Sequence, residues 1–148
     1  MSQYEEGYKG EVSRALEKCQ FIEQTLKECL LSAIEIAQIQ ESQHCPIRYK
    51  ASKISELPLG PLIQEFAKIN EDTGLHEDLW EFKDKRNKVA HQSRLFTIGE
   101  LEDEAHMLGA TLEMKRITDR ATEIHHKLLA FRYHLIRILN ETKRQPKR

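Results

Sequence analysis

Aromatic residues are scarce in this chain, at 7% of 148 positions. No stretch alternates apolar and polar side chains as a half-buried strand does. These two absences argue against a β-sandwich, whose strands draw on aromatic and β-branched residues. Cysteine is sparse too. Cys19, Cys29 and Cys45 form no CxxC pair and leave one thiol over in any pairing, which argues against a disulfide framework or a zinc site. Long apolar runs are missing. The stretch from Cys29 to Ile39 is short and interrupted by Glu35, so no membrane-spanning helix is expected. The opening residues Met1 to Glu6 show no basic region leading into an apolar core, and hence no secretory signal. A reducing, cytoplasmic setting is the expectation. Excess charge of either sign is absent, since the formal net charge is -1, and that removes the global basic field of many nucleic-acid binders. Glycine-rich phosphate loops and nucleophile elbows are absent as well.

What remains is rich in Glu, Lys, Leu, Ala and Ile, the composition of an all-helical domain. Val12, Ala15, Cys19, Ile22, Leu26, Cys29, Ala33 and Ile36 recur at steps of three and four, which predicts a long amphipathic helix from about Glu11 to Ser42. Cys19 and Cys29 fall on its apolar stripe and are expected to be buried. Pro46 marks a break, and a loop is expected from Lys50 to Leu57. A second helix starts near Pro58 or Pro61, with Leu59, Leu62, Ile63, Phe66 and Ile69 on its inner face. Gly74 is a candidate left-handed cap, and a third helix runs from about His76 to Ser93. Thr97 and Glu100 fit a capping box opening the last helix. From Met107 to Ile138 the three-four spacing holds, giving one long helix to about Asn140, or two split near Gly109. The expectation is an all-α up-and-down bundle of four or five helices with long first and last members. It forms a single domain over residues 1–148, with 1–10 and 142–148 as flexible flanks.

One short run carries chemistry. Arg86, Asn87 and His91 stand within six residues, and Arg86 falls on the apolar stripe of Leu79, Phe82, Val89 and Ala90. A core-facing arginine needs a partner or a task. Asn87 and His91 are four apart and share a helix face, whereas Arg86 and His91 are separated by about 140° around the axis. A single regular helix therefore converges them poorly. They would meet through a bend near Ala90 or through a second subunit. Arginine presents a fork of donors to phosphate oxygens and stabilises charge growing on them. Histidine moves protons near neutral pH, and asparagine orients an imidazole or donates to phosphate. With RNA, the internal 2′-hydroxyl can act as nucleophile without a metal. Structural alternatives exist for both charged residues. Arg86 could pair with Glu81 or another carboxylate, and His91 could cap the end of its helix. Trp80, close by, reads as a core or interface residue rather than a base-stacking platform. His125, His126 and His134 lack the spacing and carboxylates of a metal site. No metal or cofactor is expected.

The run Arg86-Asn87-x-x-x-His91 resembles the signature of the HEPN superfamily. The Leu59-Gly60-Pro61-Leu62 segment, the Leu79 to His91 helix and the Thr97 box look similar to the family's context, over about Pro58 to Asn140. The resemblance implies an all-α bundle, often a homodimer, in which two copies of the motif face each other and build one ribonuclease site. It also implies toxin ribonucleases of toxin–antitoxin and phage-defence systems, many paired with a nucleotidyltransferase-like antitoxin. Some members carry a tyrosine two residues after the histidine that the partner enzyme modifies. Here that position is Ser93. On this reading RNA is the substrate, with Arg86 on the scissile phosphate, His91 as base or acid and Asn87 orienting the site. The competing expectation is a non-catalytic helical dimer that serves as a protein-interaction module.

Overall fold

The computed structural model describes residues 3–41, 44–98 and 104–145, and all regular structure among them is helical. Five helices follow in order: α1 (Gln3–Ile39), α2 (Ala51–Ile54), α3 (Leu59–Phe66), α4 (Thr73–Ile98) and α5 (Glu104–Arg144). The bundle is all-α with long first and last members. α1 starts earlier than its apolar spacing suggested, and Tyr8 on its first turns is fully buried. α5 is continuous through Gly109, which settles the alternative left open by the spacing.

α1 and α5 run parallel along their whole length. Phe21 stacks on His125, Arg132 pairs with Glu28 at 3.0 Å, and Lys143 pairs with Glu35 at 3.3 Å. α4 runs the other way. Its Asp78 meets Arg120 at 2.6 Å, and its Lys88 meets Glu113 nearer the start of α5. Between α1 and α3 the chain returns along the bundle. Ile47 and the single turn α2, through Ile54, insert into the core. Buried Glu65 on α3 fixes this return, because its Oε1 accepts the Arg48 N–H at 3.1 Å and the Lys68 ammonium at 3.0 Å. Without such partners a buried carboxylate would be costly.

The segment Asn70–Asp72 sets the start of α4. Asn70 Oδ1 accepts the Asp72 N–H at 2.9 Å, and Asp72 Oδ1 accepts the Leu75 N–H at 3.0 Å as an N-cap. Gly74 therefore sits in the first turn of α4, not in a left-handed cap. α4 then runs unbroken to Ile98, so Thr97 lies inside it. Gly99 and Glu100, the rest of the expected capping box, lie outside the described residues.

Apolar side chains divide into two clusters. The larger spans Cys19 to Ile36 on α1, Leu59 to Phe66 on α3, Leu75, Leu79 and Phe82 on α4, and Ala121 to Leu139 on α5. The smaller joins Tyr8, Val12 and Ala15 to Val89, Met114 and Ile117. Among the described residues, no helix is long and apolar enough to cross a membrane.

Candidate functional site

The seam between the two clusters positions the motif. Going along α4, Phe82 belongs to the larger cluster and Val89 to the smaller, and Arg86 falls between them. Its Cα is on the stripe, as the spacing indicated, but its side chain is 45% exposed because the core is interrupted there. Glu23 of α1 fills the same seam, and its Oε1 forms an ion pair with Arg86 Nε at 2.9 Å. The partner is thus a carboxylate on another helix rather than Glu81 on the same one. Glu23 directly follows Ile22 on the stripe of α1, so it borders the apolar face without belonging to it.

Asn87 and His91 are exposed, with no hydrogen bond or ion pair to another described residue. α4 continues for two turns beyond His91, so the imidazole is not capping a helix end. The helix has no break near Ala90, so the bend that could have converged Arg86 on His91 is not present. Arg86 faces α1, whereas Asn87 and His91 occupy the outer face of α4. One chain brings the arginine into an ion pair with half-buried Glu23 and leaves the amide and imidazole open.

Two further features were not read from the sequence. Trp80 is exposed at 43% and lies outside the buried core, with Lys83 Nζ over its ring 5.6 Å from the centroid. On the inner flank of α4, a groove of about 300 Å³ opens against α5 over Phe82 and Ile117, rimmed by Asp78, Glu81, Lys85, Glu113, Arg116 and Arg120. Three of its rim charges are engaged in ion pairs. Arg120 binds both Asp78 and Glu123, and Lys88 binds Glu113. Spacing alone could not reveal these pairs, because they depend on which residues α5 brings opposite α4.

Cysteine chemistry is muted near the motif. Burial pushes the Cys19 thiol up to about 11, with Glu23 adding to the shift and Arg86 opposing it. Burial also pushes Cys29 up to about 12. Both thiols stay protonated near neutral pH and are poor nucleophiles or ligands. In comparisons with protein-family models, curated proteins and solved structures, nothing matches this chain.

Proposed function

We propose that the chain is a HEPN-like endoribonuclease that needs no metal and assembles its site from two copies of the α4 motif. The observation that carries this reading is the pairing of an accessible arginine with an open amide and imidazole on one rigid helix. A regular helix holds Arg86 and His91 about 140° apart, so a second copy is required to bring an arginine and a histidine onto one phosphate. In that arrangement His91 of one copy takes the proton from the RNA 2′-hydroxyl. The 2′-oxygen forms a bond to the adjacent phosphorus, and the bond from phosphorus to the 5′-oxygen breaks. The leaving 5′-oxygen takes a proton from solvent, giving a cyclic phosphate and a 5′-hydroxyl end, while His91 holds the proton from the 2′-hydroxyl. Arg86 stabilises charge on the non-bridging oxygens, and Asn87 orients the imidazole or the phosphate. A toxin role, with a nucleotidyltransferase-like antitoxin as partner, follows from the same resemblance. It predicts growth arrest on expression that His91→Ala relieves.

The test is cleavage of RNA by purified protein in chelator. Wild type should cleave, and Arg86→Ala or His91→Ala should abolish cleavage while helical content and thermal transition hold. Activity that persists in both variants would sink the assignment. A second reading, a non-catalytic interaction module, is favoured by the Arg86–Glu23 pair, which already gives the arginine a structural partner. It predicts a wild-type protein that dimerises and leaves RNA intact.

A further inference from the structure

Trp80, Asp84, Asn87 and His91 follow one another at steps of four, three and four, so they lie within about 60° of arc on the outer face of α4. All four are exposed. An exposed indole is unusual, since tryptophan is among the more buried residue types. Here it is the only one in the chain. Lys83 stands over the ring at 5.6 Å and packs beside Gly60, the second residue of α3. A Cβ at Gly60 would lie 3.5 Å from Lys83 Cε, so the lysine stem passes close to the backbone there and is steadied beside the ring. The result is a partly exposed indole with a cation over one face, on the same stripe as the open amide and imidazole.

We propose that this stripe is the track by which single-stranded RNA enters the site: a base stacks on Trp80, and the strand runs along α4 to Asn87 and His91. The proposal rests on the nuclease reading and names its substrate form. Trp80 and His91 are eleven residues apart, about 16 Å along the helix, the length of roughly five stacked nucleotides. Unpaired bases offer the exposed faces that stack on aromatic side chains, whereas a duplex keeps its faces inside. Charge sets the side on which the backbone travels. Lys83 flanks the stripe on one edge and Asp84 on the other, so the phosphates follow the Lys83 edge.

The indole reports directly, because no other tryptophan contributes to emission. Full-length His91→Ala protein is titrated with an unstructured RNA of about ten nucleotides, and affinity is read in parallel from the anisotropy of labelled RNA. Quenching of Trp80 emission is expected. Trp80→Ala should weaken binding by about 5- to 100-fold, the range for loss of one stacked base, and Trp80→Phe should recover most of it. Lys83→Ala should lower affinity and reduce the salt slope by about one. Unchanged emission together with unchanged affinity in Trp80→Ala overturns the proposal. So does equal binding of duplex RNA. A Trp80 emission that shifts with protein concentration alone, with self-association lost in Trp80→Ala, would assign the stripe to a second copy instead. Cleavage by wild type separates the two ideas. If wild type cleaves and Trp80 is silent, only the track falls. If Trp80 binds RNA and wild type does not cleave, the track stands and the nuclease reading falls.

Discussion

The strength of the Arg86–Glu23 pair decides whether Arg86 is available to a substrate. The two groups meet at 2.9 Å with side chains 45% and 24% exposed. In bulk water, Coulomb's law gives about 1.4 kcal/mol at that separation, and exposed pairs measured by mutant cycles deliver about 0.2–1 kcal/mol after side-chain ordering and screening. The expected coupling is therefore about 0.5–1 kcal/mol. The perturbations are Arg86→Ala, Glu23→Ala and the double substitution, each unfolded in urea and compared with wild type. Coupling should shrink toward zero as salt rises from about 0.05 M to about 1 M. A phosphate displacing Glu23 then gives up at most about five-fold in affinity, and Glu23→Gln should raise RNA affinity by no more than that. A salt-insensitive coupling above about 3 kcal/mol, typical of buried pairs, would instead lock Arg86 into the scaffold and rule out its release to a phosphate. Zero coupling at low salt would refute the pairing itself.

Glu65→Ala should cost about 1–3 kcal/mol in urea unfolding, because the Arg48 N–H loses its acceptor on the return segment. Gly109→Ala should raise stability by about 0.5–1 kcal/mol, since the residue lies inside α5 and an added Cβ meets nothing within 4 Å. A loss there would contradict a continuous α5. Cys19 and Cys29 should resist alkylation at neutral pH while Cys45 reacts, which mass spectrometry of timed labelling can count. Their raised folded values carry a sign for stability. Below pH 9 both folded and unfolded thiols are protonated. Above it the unfolded chain ionises first, so stability should fall progressively as pH rises from about 9 through 11 and 12. Cys→Ser variants should flatten that fall.

Helix periodicity was the legible part of this chain. The apolar residues of α1, α3 and α5 at three-four steps line the core as their spacing implied. Local signals near helix ends were less reliable, because neighbouring contacts overrode them. Thr97 falls inside α4, and Gly74 sits in the first turn of that helix behind the Asp72 cap. Arg86 shows the same limit at the site. Its position on the stripe was readable, but its exposure depends on where the core divides, and its partner depends on the packing of α1 against α4. Trp80 reads from the sequence as a core or interface residue, and its exposure in the single chain excludes only the core half of that reading. Only the arrangement of the helices shows that the chain's own packing leaves it 43% exposed, with Lys83 over the ring. The groups of the motif were thus legible as types and spacing, and the third dimension separated them into one tethered cation and two open polar groups.

The claim that the site is built across two copies is tested most directly by subunit mixing. Arg86→Ala and His91→Ala proteins are each assayed for RNA cleavage in chelator, then unfolded together, refolded and assayed again beside wild type. A mixed dimer retains Arg86 on one copy and His91 on the other, the one combination that can converge across an interface. Each variant alone should be inactive, and the mixture should regain a measurable part of wild-type cleavage. A mixture as inactive as its parents, beside an active wild type, would contradict a site built across two copies.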